Sequence, residues 1–412
     1  MSAVEVVDRR PATARPGFRY PIMLFLAVGS VLWAANMAGY ARFDPVPEAP
    51  AVIRPVVGGW LYLDSVWYID IAENGYSDAT IAQFHAGQEA SVAFFPSYPL
   101  TVRAVATITQ IDVPYAALLT TALCGLGFVL LFHRWCSARY PPGVARLATA
   151  MLVLYPYSWF LFGTGYGDAL FLLVTISAFM MIERDRYLLA GLLGIVATAS
   201  RPVGPAVAIA LLALVLERSG TVRRVREDVD GADPSSGRWR WRIDRSRLPR
   251  GQLVVLVSML GFVAWCAFLW ARAGDPLAFL TVQEAPGWEQ PAGPATWFKF
   301  SFFRHIADGS HHTVYLVCQA IAAGTFLAFI PRVASRFGWA YALYTLLVIC
   351  IPLIGSADFQ GIGRYMLAAF PVLIVAADWL YEKRVLRFMV LNAGAAILLL
   401  FTVLFSRGFY IS

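Results

Sequence analysis

The chain has 412 residues, of which 59% are hydrophobic and 14% are charged. Soluble domains carry about a quarter charged residues, so this composition excludes a water-soluble protein and predicts one that crosses a membrane repeatedly. A formal net charge of +7 is compatible with nucleic-acid binding, but the basic residues lie in loops predicted to face anionic lipid. We therefore expect the lipid bilayer as a partner and no nucleic acid.

Apolar runs of about 20 residues, long enough for the hydrocarbon core of a bilayer, recur along the chain. Nine are clear, at 21–40, 114–133, 146–162, 167–183, 251–271, 312–330, 338–355, 365–380 and 387–406. A further run, 187–217, is too long for one helix and is interrupted by Arg201 and Pro202. We predict that it forms two short helices meeting in a turn. The fold class is thus an all-α polytopic membrane protein with about eleven spans.

Lys and Arg residues concentrate on one side of the predicted bundle. Of the 33, 24 lie in the segments 1–20, 134–146, 183–186, 217–250, 331–337 and 381–387. The positive-inside rule places these segments, including the N-terminal arm 1–20, in the cytoplasm. This assignment requires that 91–111 does not span. We predict that it is an amphipathic or re-entrant helix within a long first outer loop, 41–113.

Three parts follow in order: a catalytic transmembrane module at 21–217, a basic cytoplasmic loop at 218–250, and a C-terminal transmembrane module at 251–412 that includes an outer loop at 273–311. The basic loop contains RWRWRIDRSR and is predicted to be mobile and to contact the membrane surface. No small-residue cleavage site follows the first apolar run, which indicates a retained span. Frequent Ala, Arg and Gly indicate a GC-rich bacterium and hence its plasma membrane, with the functional site on the exoplasmic side.

The first outer loop places carboxylates among aromatic side chains, in WLYLDSVWYIDIAENGY at 60–76. Trp67 and Tyr68 are of the type that stacks on sugar faces or anchors a helix at the membrane interface, so Asp64 is either a catalytic carboxylate or a solvated one in an aromatic belt. If the stretch is helical, the side chains of Asp64 and Asp70 project about 120° apart. Only one of them is then expected to face a site, and Asp70 is the one expected to pack or cap locally.

Three further charged residues stand in apolar surroundings, where an unpaired charge is costly. Asp168 begins an apolar helix from its outer end, where it either caps the helix dipole or takes part in catalysis. Arg201 needs an anionic partner, either a protein carboxylate such as Asp168 or a lipid-borne phosphate. Arg364 begins another apolar helix and allows the same two interpretations. Two arginines at one depth facing an acidic loop favour a phosphate site.

Metal ligation is not predicted. His305, His311 and His312 match no well-defined zinc spacing and are interpreted as loop histidines. The five cysteines show no CxxC spacing, so neither a zinc site nor a disulfide framework is indicated.

These pieces resemble the PIG-V-like mannosyltransferases, relatives of the eukaryotic GPI mannosyltransferase II within the GT-C class of polytopic glycosyltransferases. The matching segments are Asp64 with Trp67 and Tyr68, IAENGY at 71–76, AFFPSYPL at 93–100, YPYSWFLFGTGYGDALF at 155–171, SRPVG at 200–204 and GRYMLAAFP at 363–371. The chain departs from the family pattern at Leu63, where a tryptophan is common, and at Asp168, where a glutamate is usual.

The resemblance implies a GT-C-type helix bundle that transfers a sugar, mannose, from a polyprenyl-phosphate donor to a hydroxyl of a glycan, glycolipid or glycoprotein acceptor, with inversion. Asp64 would act as general base, and Arg201 with Arg364 would bind the donor phosphate. Substrate binding is assigned to the residues Trp67, Tyr68, Asp70, Asp168 and Tyr365. No cofactor and no divalent metal is expected, because guanidinium charge can stabilise a lipid phosphate as leaving group.

A transporter or lipid flippase is the rival interpretation, since intramembrane charges at broken helices also mark substrate pathways. Two features oppose it: the charges lie at the outer ends of helices, and no second half of the sequence mirrors the first.

Overall fold

The computed structural model describes residues 17–46, 49–227, 238–309 and 313–411. Most of these residues are helical, as predicted. A helix satisfies its own backbone hydrogen bonds, which a hydrocarbon environment demands. The described helices are, in chain order, α1 (Arg19–Arg42), α2 (Asp64–Asn74), α3 (Asp78–His85), α4 (Ser97–Thr109), α5 (Val113–Ser137), α6 (Pro142–Val153), α7 (Asp168–Glu183), α8 (Tyr187–Thr198), α9 (Gly204–Arg218), α10 (Leu260–Ala273), α11 (Ala278–Thr281), α12 (Pro294–Trp297), α13 (Phe300–Ala307), α14 (Thr313–Phe337), α15 (Trp339–Gly355), α16 (Ile362–Tyr365), α17 (Phe370–Leu380) and α18 (Arg384–Phe405).

Five helical stretches in the described part of the chain are long and apolar enough to cross a bilayer. They are α1, α5, α14, α18 and the stretch Arg250–Ala273, in which a 3-10 segment leads into α10. A sixth candidate is the pair Ile362–Ala368 and Phe370–Leu380, which is bent by 84°. The predicted count of about eleven spans is not confirmed by these lengths.

One predicted span is shorter than expected because proline interrupts it. In the predicted span 146–162, α6 ends at Val153, the chain turns around Pro156, and a 3-10 helix, Ser158–Leu161, follows. Proline lacks an N–H and disfavours a helical conformation in the residue before it, so one continuous helix cannot pass this point without a kink. The predicted span 146–162 is therefore not one continuous helix.

The run 187–217 forms two helices, as predicted. α8 ends at Thr198 and α9 begins at Gly204, with Arg201 and Pro202 in the turn between them. Arg201 is only 6% exposed. The turn thus carries a guanidinium into the protein interior.

The segment 41–113, which we predicted to be the first outer loop and call by that name, is folded. It contains α2, α3 and α4, and α4 has 13 residues, which span about 20 Å and are too few to cross a bilayer. Arg103 on α4 donates hydrogen bonds to the carbonyls of Ala72 and Ile71 at the end of α2, at 2.6 and 3.0 Å. A cation at a helix C-terminus is favourable, so α4 holds α2 in place.

The basic segment 218–250 contains a β-hairpin, which the all-α prediction missed. Strands β1 (Val222–Glu227) and β2 (Arg238–Ile243) pair in antiparallel register, with Arg223 opposite Arg242. The alternation in RWRWRI has the period of two that is typical of strands. This pattern was the signal in the sequence that could have predicted the hairpin. The mobility predicted for this loop stays a prediction.

The core of the bundle is aromatic and lies between α5, α6, α7 and α17. Trp135 of α5 packs edge-on against Phe370 of α17 with ring centroids 5.3 Å apart, and both side chains are fully buried. α18 packs against α1 and brings the two ends of the described chain together. Glu217 at the end of α9 accepts hydrogen bonds from the N–H groups of Trp339 and Ala340 and so caps α15.

Candidate active site

Four charged side chains from distant parts of the sequence form one cluster. They are Asp64 of α2, Asp168 of α7, Arg201 of the turn before α9, and Arg364 of α16. Arg201 Nη2 donates to Asp168 Oδ2 at 2.7 Å. Arg364 lies between the two carboxylates, with Nη1 3.4 Å from Asp64 Oδ2 and Nε 3.7 Å from Asp168 Oδ1. The first outer loop and the two halves of the bundle therefore meet at this cluster, which we call the charged cluster.

Asp64 is positioned by an unusual backbone. The preceding residue, Leu63, has φ +60° and ψ −124°, a conformation that non-glycine residues rarely adopt. The N–H of Leu63 donates to the carbonyl of Pro50 at 2.7 Å, and Val52 donates to Leu61 at 2.9 Å. Pairing with the 50–52 segment thus holds a strained residue next to the cluster. Such strain persists only where surrounding structure enforces it, and it is typical of functional sites.

Asp64 is the more accessible of the two carboxylates. Its side chain is 23% exposed, whereas that of Asp168 is 2% exposed. Its own backbone N–H donates to the hydroxyl of Tyr166 at 3.2 Å. Of the two carboxylates in the cluster, Asp64 is therefore the one that an incoming hydroxyl can approach without displacing packed side chains.

The surroundings of Asp64 raise its pKa. Removal from water is the largest cause, and the adjacent Arg364 guanidinium acts in the opposite direction. A carboxylate with a raised pKa accepts a proton more readily than an ordinary one. The site thus favours the use of Asp64 as a base.

Asp168 is the buried counter-ion of the cluster. It is the first residue of α7, where a negative charge also interacts favourably with the helix dipole. Both Arg201 and Arg364 are directed at it. Of the two partners considered for Arg201 in the sequence, the structure shows the protein carboxylate.

Arg364 is enclosed by aromatic rings. Its guanidinium carbon lies 5.0, 5.2 and 5.4 Å from the ring centroids of Phe160, Tyr166 and Tyr365. Tyr365 also lies beneath Arg201, at 4.9 Å. Stacking of this type stabilises a guanidinium in a poorly hydrated site.

The guanidinium of Arg364 is incompletely paired among the described residues. Its Nε is buried and has no hydrogen-bond partner there, since Asp168 Oδ1 lies beyond hydrogen-bond distance. A buried donor left unpaired is unfavourable. The described residues therefore do not use the full hydrogen-bonding capacity of this guanidinium.

An aromatic wall adjoins the cluster. Tyr68 packs edge-on against Phe94 and Tyr98, with centroid distances of 5.0 and 5.1 Å. Trp67 stacks on Phe94 at 5.8 Å. Trp288, from the segment 273–311 that we predicted to be an outer loop and call the second outer loop, packs edge-on against the same ring at 5.7 Å. Tyr68 lies beside the cluster, with its ring centroid 6.4 Å from that of Tyr166, and Trp67 adjoins it through Phe94.

No family model matches the chain. The chain is 29% identical over 176 residues to the GPI alpha-1,6-mannosyltransferase 2 of Mus musculus, and 30% identical over 180 residues to that of Homo sapiens. The chain is similar to GPI alpha-1,6-mannosyltransferase 2. The resemblance predicted from the motifs is thereby confirmed. The match covers 40% and 39% of this chain, but only 33% and 34% of the length of these two relatives.

Two solved structures are similar in their backbone course. ArnT from Cupriavidus metallidurans in the apo state gives a TM-score of 0.45 at 14% identity, covering 88% of this chain and 59% of that one. The Archaeoglobus fulgidus oligosaccharyltransferase complex with Zn and sulfate gives 0.48 at 14% identity, covering 94% and 53%.

Asp70 lies apart from the charged cluster. Its carboxylate accepts a hydrogen bond from Asn74 Nδ2 at 2.7 Å, one turn further along α2. Among the described residues it makes no ion pair. The contact is local to α2, and the assignment of Asp70 to substrate binding stays a prediction.

The described residues contain no group of three or more His, Cys, Asp or Glu side chains arranged to hold a metal ion. His305 Nε2 lies 4.0 Å from Asp358 Oδ2. His311 and His312 lie outside the described residues.

Sequence reasoning missed two residues that complete the site. Phe160 and Tyr166 enclose Arg364, and Tyr166 also bonds to the backbone of Asp64. Both lie in the quoted motif 155–171, and Tyr166 precedes Asp168 by two residues. Their position, within eight residues before Asp168, is the signal that could have identified them.

Proposed function

We propose that the protein is a membrane glycosyltransferase that moves mannose from a polyprenyl-phosphate donor to an acceptor hydroxyl, with inversion at the anomeric carbon. The names of the relatives support a mannosyltransferase. The observation that carries the proposal is the contact between a partly exposed carboxylate, Asp64, and a buried guanidinium, Arg364, with an unpaired donor. A base and a cation side by side are what displacement of a phosphate by a hydroxyl requires.

In the proposed reaction the acceptor oxygen attacks the anomeric carbon of the donor sugar while its proton passes to the Asp64 carboxylate. The bond between that carbon and the donor phosphate oxygen breaks, and its electron pair stays on the phosphate. Arg364, with Arg201, stabilises the negative charge that accumulates on the departing polyprenyl phosphate. Atoms and charge balance without another reactant.

Arg201 can serve both Asp168 and a phosphate. A guanidinium carries five N–H donors, and the described structure gives one of those on Arg201 to Asp168. Tyr365 lies under both arginines and would keep their planes oriented. Trp67 and Tyr68 would pack against the sugar or the first prenyl units. Because two guanidinium groups supply the cationic charge, we propose that no divalent metal is needed.

The proposed membrane arrangement follows the basic residues. It has a cytoplasmic N-terminus, about eleven spans that include the short helices, and the charged cluster on the exoplasmic side of a bacterial plasma membrane. Short helices can cross where neighbouring helices and a locally thinned bilayer cover their ends. The acceptor is a glycan, glycolipid or glycoprotein exposed on that side.

The test is transfer of radiolabelled mannose from polyprenyl phosphate mannose by the purified full chain in detergent. Glycolipid and mannoside extracts serve as acceptors, and EDTA is added in a parallel reaction. Label in an acceptor, unaffected by EDTA, is the expected result. Movement of labelled donor between the leaflets of reconstituted vesicles without transfer to any acceptor would instead favour a lipid flippase.

A further inference from the structure

The chain segment that leads into Arg364 is held in a strained conformation. It runs from the end of α15 to α16, and Phe359 within it has φ +71°. A large side chain at positive φ is unfavourable, so surrounding contacts must enforce it. Small changes in this segment would move Arg364, which lies only five residues after Phe359.

Lys299, in the second outer loop between α12 and α13, forms hydrogen bonds to this segment. Its side-chain ammonium donates to the carbonyls of Leu353 and Ser356 and lies 5.2 Å from the ring centroid of Phe359. Leu353 is in the last turn of α15, whose carbonyls have no partner within the helix. An ammonium group at a helix C-terminus satisfies these carbonyls and interacts favourably with the dipole.

Other contacts join the same two segments. The amide oxygen of Gln290 accepts a hydrogen bond from the N–H of Ala357 at 2.6 Å. Phe302 packs edge-on against Phe359 with centroids 4.9 Å apart. The second outer loop is therefore attached to the segment on both sides of Ser356.

The burial of Lys299 indicates a specific role. The residue is 7% exposed, and none of the described carboxylates forms an ion pair with it. Burial lowers its pKa to about 8, an effect that nearby Asp358 opposes. Burying an ammonium group costs free energy that an apolar side chain of the same size would not. The contacts of the Lys299 ammonium therefore indicate a role that an apolar side chain could not fill.

We propose that Lys299 is a positioning residue for Arg364: by tying the second outer loop to the end of α15, it fixes the segment from which Arg364 reaches the donor phosphate. This inference rests on the proposed function, because it assumes that Arg364 binds that phosphate. Misplacement by about 1 Å at a remote position can lower turnover by about a hundredfold. Lys299 would act on Arg364 through the intervening segment, without touching substrate.

The test compares Lys299→Met with Lys299→Arg, and uses Lys383→Met at the exposed opposite end of the bundle as the matched control. Polyprenyl phosphate affinity and the donor KM and kcat are measured for each purified full-length variant. We expect Lys299→Met to weaken polyprenyl phosphate binding and raise the donor KM by about tenfold or more. Lys299→Arg should recover part of the loss, and Lys383→Met should stay within about twofold.

A double-mutant cycle that combines Lys299→Met with Arg364→Lys separates a positioning role of Lys299 from general destabilisation of the protein. If Lys299 acts through Arg364, the combined variant loses less affinity than the two single losses multiplied together. Wild-type polyprenyl phosphate affinity in Lys299→Met beside a large loss in Arg364→Lys would overturn the positioning role alone. Wild-type affinity in both would overturn the phosphate-binding function itself. If Lys299→Met does not fold, Gln290→Ala, which removes the neighbouring tether, is measured in its place with the same expectations.

Discussion

Arg364 contacts Asp64 across 300 residues of sequence, with Nη1 of the guanidinium 3.4 Å from Oδ2 of the carboxylate. The same guanidinium reaches towards Asp168, so one cation serves two carboxylates. An anionic ligand that binds Arg364 would compete with Asp64 for its N–H groups. Donor binding would then weaken the ion pair that lowers the basicity of Asp64.

Replacement of Arg364 should reduce donor affinity and turnover together. Arg364→Ala removes a charged hydrogen-bonding group from the transition state, at a cost of about 2–4 kcal/mol, or roughly 30- to 1,000-fold in kcat/KM. Arg364→Lys should recover only part of this loss, because an ammonium lacks the planar fork of the guanidinium. Donor KM and polyprenyl phosphate binding are the measurements. Unchanged donor saturation in both variants would assign Arg364 a structural role only.

The two carboxylates of α2 should respond differently to the same substitution. Asp64→Asn keeps shape and removes basicity, so transfer should be abolished, whereas polyprenyl phosphate binding should not weaken because the carboxylate charge that competes for Arg364 is removed. Asp70→Asn is the matched control, since Asp70 bonds to Asn74 and lies outside the charged cluster. It should retain substantial activity. An active Asp64→Asn enzyme beside an inactive but folded Asp70→Asn enzyme would reverse the assignment.

The pH profile should show the raised pKa of Asp64. The active form of a base is deprotonated, so activity is lost as the pH falls through its pKa. Because that pKa is raised by burial, the acidic limb of kcat/KM should lie above the value of an ordinary aspartate, about 4. Arg364 lowers the pKa of Asp64, so residual activity in Arg364→Met should fall off at still higher pH than in Arg364→Lys. An acidic limb at the ordinary aspartate value would argue against Asp64 as the titrating base.

The sequence predicted the helical class, the break at Arg201 and Pro202, and the residues of the charged cluster, because each depends on local composition or on the cost of an isolated charge. It did not predict which partners those charges would find. The contact between Arg364 and Asp64 depends on packing between the two ends of the chain. The positive φ of Leu63 is likewise enforced by contacts with 50–52. Neither is encoded in spacing or periodicity.

The ion pair between Arg201 and Asp168 should contribute to stability as well as to binding. Both side chains are buried, and removal of one partner leaves the other charge uncompensated. Arg201→Ala should therefore lower the apparent Tm and destabilise the fold by about 3–5 kcal/mol, with Arg364 offsetting part of this through its weaker contact with Asp168. Arg201→Ala combined with Asp168→Ala should be less destabilised than the two single effects added together. Additive losses of Tm would show that the two residues act independently.

The orientation of the bundle can be tested with single cysteines on its two faces. Ala86 lies exposed at the end of α3 in the first outer loop, and Ser246 lies exposed just after the basic hairpin. In a background with the five native cysteines replaced, Ala86→Cys should react with an impermeant thiol reagent in intact cells, whereas Ser246→Cys should react only after permeabilisation. The expectation rests on the 24 of 33 basic residues assigned to inner segments. Labelling of Ser246→Cys in intact cells would place the charged cluster on the cytoplasmic side, since the first outer loop that carries both Ala86 and Asp64 would then lie inside, and the acceptor would have to be a cytoplasmic molecule.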